Sequence, residues 1–428
     1  MGSLAVAEVD APGEAHWSTS LPAPSGREAP VDAVEGFVRA AVARWAAEEA
    51  GGPRGRGRPR VRSALCLWTG LLVCVARGFS SQQALWRLLA SEGLWSLPVV
   101  PVGDQAVYKR LADDGTRPLQ ELFGQLSALL AERLAPVADL RLAAFAAEVV
   151  ALDESTLDPL ARTLPALRAL PAGDARLLPG KIAGLFDLRR QQWRRVDYRE
   201  DVRQREQVAA RGMLDGLPPG SLVLADLGYF GFGWFDDLTD AGHFWVSRWR
   251  ARTSYSVLHT FYQDGETLDQ LIWLGAHRAD RAKHAVRLVQ FRHGGTLYRY
   301  LTNVRDPLLL PMGEIAALYA RRWDFELAIK LVKRHLGLHL WWSAKPVVVQ
   351  QQLWAALCIA QILHALQLEI AHRAGVGPFD VSLALFVEYA PRFAAAGHDP
   401  ITAFVAQGRT LGFIRPSTRT RVQAPAIP

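Results

Sequence analysis

The sequence predicts an α/β domain on a mixed sheet, with a β-rich insertion, preceded by a helical domain. Three observations predict it. From Ser63 to about Arg141 apolar residues recur at helical spacing, and after Leu142 short apolar strands alternate with helical stretches. Two of those strands, EVVAL and LVLA, each run into an aspartate, Asp153 and Asp226.

The chain has 428 residues, half of them hydrophobic, enough for a sizeable core and two or three domains. This excludes a disordered tail or a small disulfide-stapled scaffold. Lys and Arg outnumber Asp and Glu by 49 − 42 = 7, a balance that suits a polyanionic partner. Cys66, Cys74 and Cys358 sit in apolar runs without CxxC spacing, so neither a disulfide framework nor a zinc site is expected. The opening MGSLAVAEVDAPGEAHW has no basic stretch ahead of an apolar core and does not read as a secretory signal, so a cytoplasmic location is expected. Ala64–Ala76 is too short to span a membrane, and Val347–Ile370 is interrupted by Gln, His and Glu. Both read as buried helices, and no membrane partner is expected.

Residues 1 to about 30 are rich in Ala, Pro, Gly and Ser without a hydrophobic period and read as disordered. Val31–Ala50 has helical spacing. GGPRGRGRPRVR (Gly51–Arg62) is a flexible basic segment whose Gly55–Arg60 resembles the core of an AT-hook, with Arg56 and Arg58 as groove-contact candidates; a plain basic linker fits it too. Helices are expected over Ala64–Ala76, from Ser80-Ser81, from Asp104 as N-cap, and over Pro118–Leu134. The helix after Asp104 presents Lys109 and Arg110, which suits a DNA-contacting helix-turn-helix domain; an ordinary bundle with a solvated basic face fits the same pattern.

Strands are expected at Glu148–Leu152, Lys181–Leu188, Trp193–Tyr198, Leu222–Ala225 and His243–Ser247, with helices over Asp201–Leu217 and Trp234–Asp240. A β-rich insertion covers about 252–302, and one long helix is expected from about Met312 to Leu336. Residues 346–428 form a C-terminal helical region and tail.

Adjacent strand ends would bring Asp153 and Asp226 close together, where mutual repulsion is costly unless a cation lies between them. Mg²⁺ favours a few carboxylate oxygens plus waters and phosphate oxygens, and two such ions about 4 Å apart serve phosphoryl transfer. Either aspartate alone also reads as a turn or cap residue. The third acid stands in YARRWDFELAIKLVK. At helical spacing Tyr319, Arg322, Glu326 and Lys333 fall on one face, suiting a phosphate track beside a metal site; an amphipathic helix with i, i+4 pairs is the bland alternative.

That segment fits the pattern Tyr-x2-Arg-x3-Glu-x6-Lys and so resembles the bacterial insertion-sequence-four transposases, a branch of the DDE transposases. ALDEST, ADLGYF, YLTN and Leu340–Ser343 add to the resemblance, which spans roughly 63–370. It implies an RNase H-like catalytic domain over 142–345, following a helical DNA-binding domain over 63–141 and a basic arm over 1–62. It also implies that Asp153, Asp226 and Glu326 bind two Mg²⁺ ions (Mn²⁺ as a substitute), and that Tyr319, Arg322 and Lys333 contact phosphates at the element end. The interval of 326 − 226 = 100 positions from Asp226 to Glu326 leaves room for the insertion. The implied reaction frees a 3′-hydroxyl at each element end and joins it to target double-stranded DNA, with a homodimer assembled on the DNA. A transposase-derived DNA-binding protein without chemistry and a metal-dependent nuclease without joining are the competing functions.

Leu227 stands where relatives often carry Arg, removing one potential phosphate contact. Tyr298, Tyr300 and Trp273 could offer a face to an extruded base, although core packing explains strand aromatics equally well. The eleven histidines show no HExxH spacing, and His335 and His339 read as helix-end groups.

Overall fold

Among the described residues, nine strands form one sheet in the order β3-β2-β1-β4-β5-β9-β8-β7-β6. They are β1 (Val149–Thr156), β2 (Lys181–Asp187), β3 (Gln192–Arg199), β4 (Leu222–Ala225), β5 (Phe244–Arg248), β6 (Tyr255–Asp264), β7 (Thr267–Leu274), β8 (Val286–His293) and β9 (Thr296–Thr302). The computed structural model describes residues 33–50, 64–95, 99, 101–160, 164–171, 174, 177, 179–202, 206–275, 281–419 and 422–425. Strands β1, β2 and β3 pair antiparallel, whereas β1, β4 and β5 run parallel. The insertion continues this sheet: β9 pairs antiparallel with β5, and β8, β7 and β6 follow outward.

The apolar runs of β1 and β4 arise because both faces of the sheet are covered. Val149, Ala151, Leu222 and Leu224 join one core, and Val150, Leu152, Val223 and Ala225 join the other. The second core is closed by α6 (Glu206–Met213) and α7 (Phe232–Asp240), through Ala210, Met213, Trp234, Phe235 and Leu238. The larger core also contains buried residues of α1 (Ala33–Ala50), α2 (Ala64–Ala76), α3 (Gln82–Arg87), α4 (Asp104–Asp114) and α5 (Arg117–Leu134). These helices thus share one core with the sheet. Helix α10 (Pro346–Ala374) joins them, packing on α2, α5 and β3. It is long and apolar enough to cross a membrane, yet 94% of its most apolar stretch is buried within the protein.

Several boundaries differ from the sequence expectation; the helix expected to run to Leu217, for one, ends at Met213. Strand β1 runs past Asp153 to Thr156, because β2 keeps pairing through Thr156↔Lys181. Asp104 opens α4 instead of capping it, and its side chain accepts from the Gln105 amide at 2.8 Å. The expected long helix is broken into α8 (Met312–Ala320), α9 (Trp323–Lys330) and a π turn over Leu331–His335. The break is a change of hydrogen-bond span. Arg321, Arg322, Asp324 and Phe325 amides bond the carbonyls three residues earlier, and the Leu336 amide bonds Leu331 five back. The helices α11 (Leu383–Ala395) and α12 (Pro400–Gln407) close the C-terminal region.

Candidate active site

The two aspartates are aligned by strand register. In the parallel pair β1–β4, Leu152 lies opposite Ala225, so Asp153 and Asp226 are the next residues along neighbouring strands. Side chains alternate along a strand, which puts Asp153 on the face of Val149 and Ala151, and Asp226 on that of Leu222 and Leu224. This is the face on which α8 and α9 pack. Helix α9 comes close because β2 carries Gly184 opposite Asp153: a Cβ there would lie 2.7 Å from the Trp193 ring and 3.0 Å from that of Phe325.

All three acids meet one guanidinium. Arg322 donates through Nη1 to Asp153 Oδ2 at 2.6 Å and through Nη2 to Glu326 Oε1 at 3.1 Å, and its Nε stands 3.8 Å from Asp226 Oδ1. Arg322 is only 6% exposed. Burial works against its charge, but Asp226, Asp153, Tyr319 and Glu326 outweigh burial and raise its pKa. Burial pushes the Asp153 carboxyl up to about 6, against the pull of Arg322 and the Glu154 amide, with Asp226 and Glu326 adding repulsion.

The acids open on a cleft of about 510 Å³ lined by Asp153, Asp226, Glu326, Lys330, Lys333 and Arg334 among others. Arg322 is not among the lining residues and backs the carboxylates from the buried side. Lys333 donates to Thr156 O and stands 4.0 Å from Asp158; burial lowers its pKa, with Asp158 opposing that. Lys330 and Arg334 went unremarked in the sequence, although they follow Glu326 at successive steps of four on the same face. Tyr319 is buried, with its hydroxyl 3.4 Å from Ala225 O and its ring against Tyr300.

Other candidates lie elsewhere. Lys109 is exposed on α4, while Arg110 pairs with Asp114 at 3.0 Å. Arg56 and Arg58 fall outside the described residues. Tyr300 is buried, and the Trp273 indole donates to Ala282 O. Among the described residues, no three His, Cys, Asp or Glu side chains are already gathered as a ligand set. The chemistry of the three cleft-lining carboxylates nevertheless suits a hard divalent cation, which prefers oxygen donors and completes its shell with water.

Residues 180–362 match the family described as Transposase DDE domain, a span that includes Asp226 and Glu326 and begins after Asp153. The chain is 25% identical over 198 residues to Transposase InsG for insertion sequence element IS4 of Escherichia coli (strain K12), covering 43% of each protein. It is 28% identical over 160 residues to Putative transposase y4zB of Sinorhizobium fredii (strain NBRC 101917 / NGR234), covering 36% of this chain and 44% of that protein. The matched part thus spans less than half the length of these relatives. Among solved structures, the piggyBac transposase synaptic complex with hairpin DNA aligns over 92% of this chain and 89% of that one, at 9% identity and a TM-score of 0.41, a likeness too loose to argue from. Residues 180–362 thus match a transposase DDE domain family, and the chain is similar to a transposase of the insertion sequence element IS4.

Proposed function

We propose that the chain is a DNA transposase with an RNase H-like core, cutting the ends of an insertion sequence and joining the freed 3′-hydroxyl to target DNA. The observation that carries this reading is the meeting of Asp153, Asp226 and Glu326, from three separate elements, on one cleft also lined by Lys330, Lys333 and Arg334. Such a site pairs acidic metal ligands with cations that suit a phosphate backbone.

Asp153, Asp226 and Glu326 would hold divalent ions, Mg²⁺ or Mn²⁺. When bound, two such ions supply an activated attacking oxygen and charge neutralisation at the leaving one. Arg322 holds the carboxylates together from behind and offsets their repulsion before any ion arrives. Tyr319 steadies the end of β4 through Ala225 O, and so the backbone that presents Asp226. Lys333, Lys330 and Arg334 bind the phosphates flanking the scissile bond. A homodimer on DNA, and DNA contacts by Lys109, Arg110, Arg56 and Arg58 from the N-terminal region, belong to the same proposal.

The test is cleavage and joining of labelled DNA carrying the genomic ends that flank the gene, with Mg²⁺ or Mn²⁺, comparing the wild-type chain with Glu326→Ala. Nicking and joining by the wild type alone is expected. Equal activity in both proteins removes Glu326 from the mechanism. Binding without chemistry in both leaves a DNA-binding protein, and nicking without joining leaves a nuclease.

A further inference from the structure

Behind the helix that carries Glu326 lies a carboxylate with no part in the proposed reaction. The Asp324 side chain is fully buried. It accepts from Gln191 Nε2 at 2.9 Å and from Arg321 Nε at 2.7 Å, and pairs with Arg419 at 2.7 Å. These partners come from the β2–β3 turn, from the break between α8 and α9, and from the C-terminal tail beyond α12. Arg321 also donates to Leu188 O at 2.8 Å, and Arg419 to the carbonyl of Ala320, the last residue of α8, at 3.1 Å. Both guanidinium groups lie over the Phe379 ring, at 5.3 and 4.1 Å. The tail is itself fastened at Asp380, whose carbonyl accepts from the Arg415 amide and whose carboxylate accepts from the Ser417 amide.

We propose that Arg419 is a positioning residue, which locks the break between α8 and α9 and so fixes the direction in which Arg322 and Glu326 reach Asp153 and Asp226. Residues two apart on a helix point to nearly opposite sides, so Asp324 faces inward while Arg322 and Glu326 face the acids. The break has exchanged regular helical bonds for three-residue turns, and its geometry therefore depends on outside contacts. Arg419 grips it at two points, the Asp324 carboxylate and, 99 residues back along the chain, the Ala320 carbonyl, while Arg321 keeps Asp324 paired when Arg419 is lost. Loosening this grip turns the catalytic helix without exposing the core, and a shift of about 1 Å in a catalytic group is enough to cost on the order of a hundredfold in rate.

The inference rests on the transposase reading, and the test separates the two. Full-length wild type, Arg419→Ala, Arg419→Lys and a tail control, Arg415→Ala, are compared for cleavage of labelled element-end DNA in Mg²⁺ and for amide hydrogen exchange across α9 in the free protein. In Arg419→Ala the single-turnover rate is expected to fall roughly tenfold to a hundredfold. DNA affinity should stay within about twofold of wild type. Exchange in α9 should quicken, Arg419→Lys should recover most of the rate, and Arg415→Ala should match wild type. Unchanged cleavage, or an equal loss in Arg415→Ala, overturns the assignment. If the wild type cuts nothing, the transposase reading fails by itself, and exchange still decides the clamp: α9 protection equal in wild type and Arg419→Ala overturns it.

Discussion

Arg322 and Asp153 meet at 2.6 Å across 169 residues of sequence, and the same guanidinium donates to Glu326 one helical turn on. A cation in this position lets three neighbouring acids fold together without a metal. Replacing Arg322 with Ala leaves Asp153 largely buried without that partner, and breaking such a pair costs about 3–5 kcal/mol. We expect Arg322→Ala to lower stability in urea by about that amount in EDTA, and Mg²⁺ to restore part of it. Wild-type stability in EDTA would show that Arg322 does not offset the acids.

Asp153 carries a pH signature. The folded chain holds its proton to about pH 6, whereas an unperturbed aspartate releases it near 3.8. Protonation therefore stabilises the fold fully below about 3.8, and that contribution is lost as pH rises through about 6. Relative to Asp153→Asn, the wild type should lose on the order of 2–3 kcal/mol between pH 4 and pH 7. A difference between the two proteins that stays flat over this interval would contradict the shift. Cleavage should rise over the same interval, because only the ionised carboxylate ligates a metal.

At Gly184 the sheet lies close against α9. A methyl group there would press on Trp193 and on Phe325, the residue before Glu326. Gly184→Ala should cost about 1–3 kcal/mol by overpacking and cut the cleavage rate by roughly tenfold as α9 is pushed away. Thermal melting and single-turnover cleavage together check this. A stable variant with full activity would mean that α9 is free to shift without consequence.

Lys333 faces the cleft and has no part in holding the acids. Lys333→Ala should leave cleavage chemistry with saturating DNA nearly intact while weakening binding, and should reduce the slope of log affinity against log salt by about one. Fluorescence anisotropy with labelled DNA at several salt concentrations measures that slope. No change would remove Lys333 from the phosphate contacts.

Much of this architecture could be read from the residues because it is local. Buried apolar runs marked β1 and β4, period and punctuation marked α2, α5 and the β character of the insertion, and the two aspartates followed directly from those runs. The spacing from Tyr319 to Lys333 also singled out the segment whose Glu326 lines the cleft with Asp153 and Asp226. A regular helix was the natural reading of that spacing, since nothing local announces a turn that shortens its hydrogen bonds at Arg321–Arg322. The tertiary structure decided what local pattern could not. Strand register set Asp153 beside Asp226, Gly184 let Phe325 approach the sheet, and Asp324, buried against Arg321 and Arg419, anchored the far side of the break. The chain thus states its acids in one dimension, but their convergence on Arg322 depends on contacts between residues far apart in sequence, which exist only once the sheet and helices have packed.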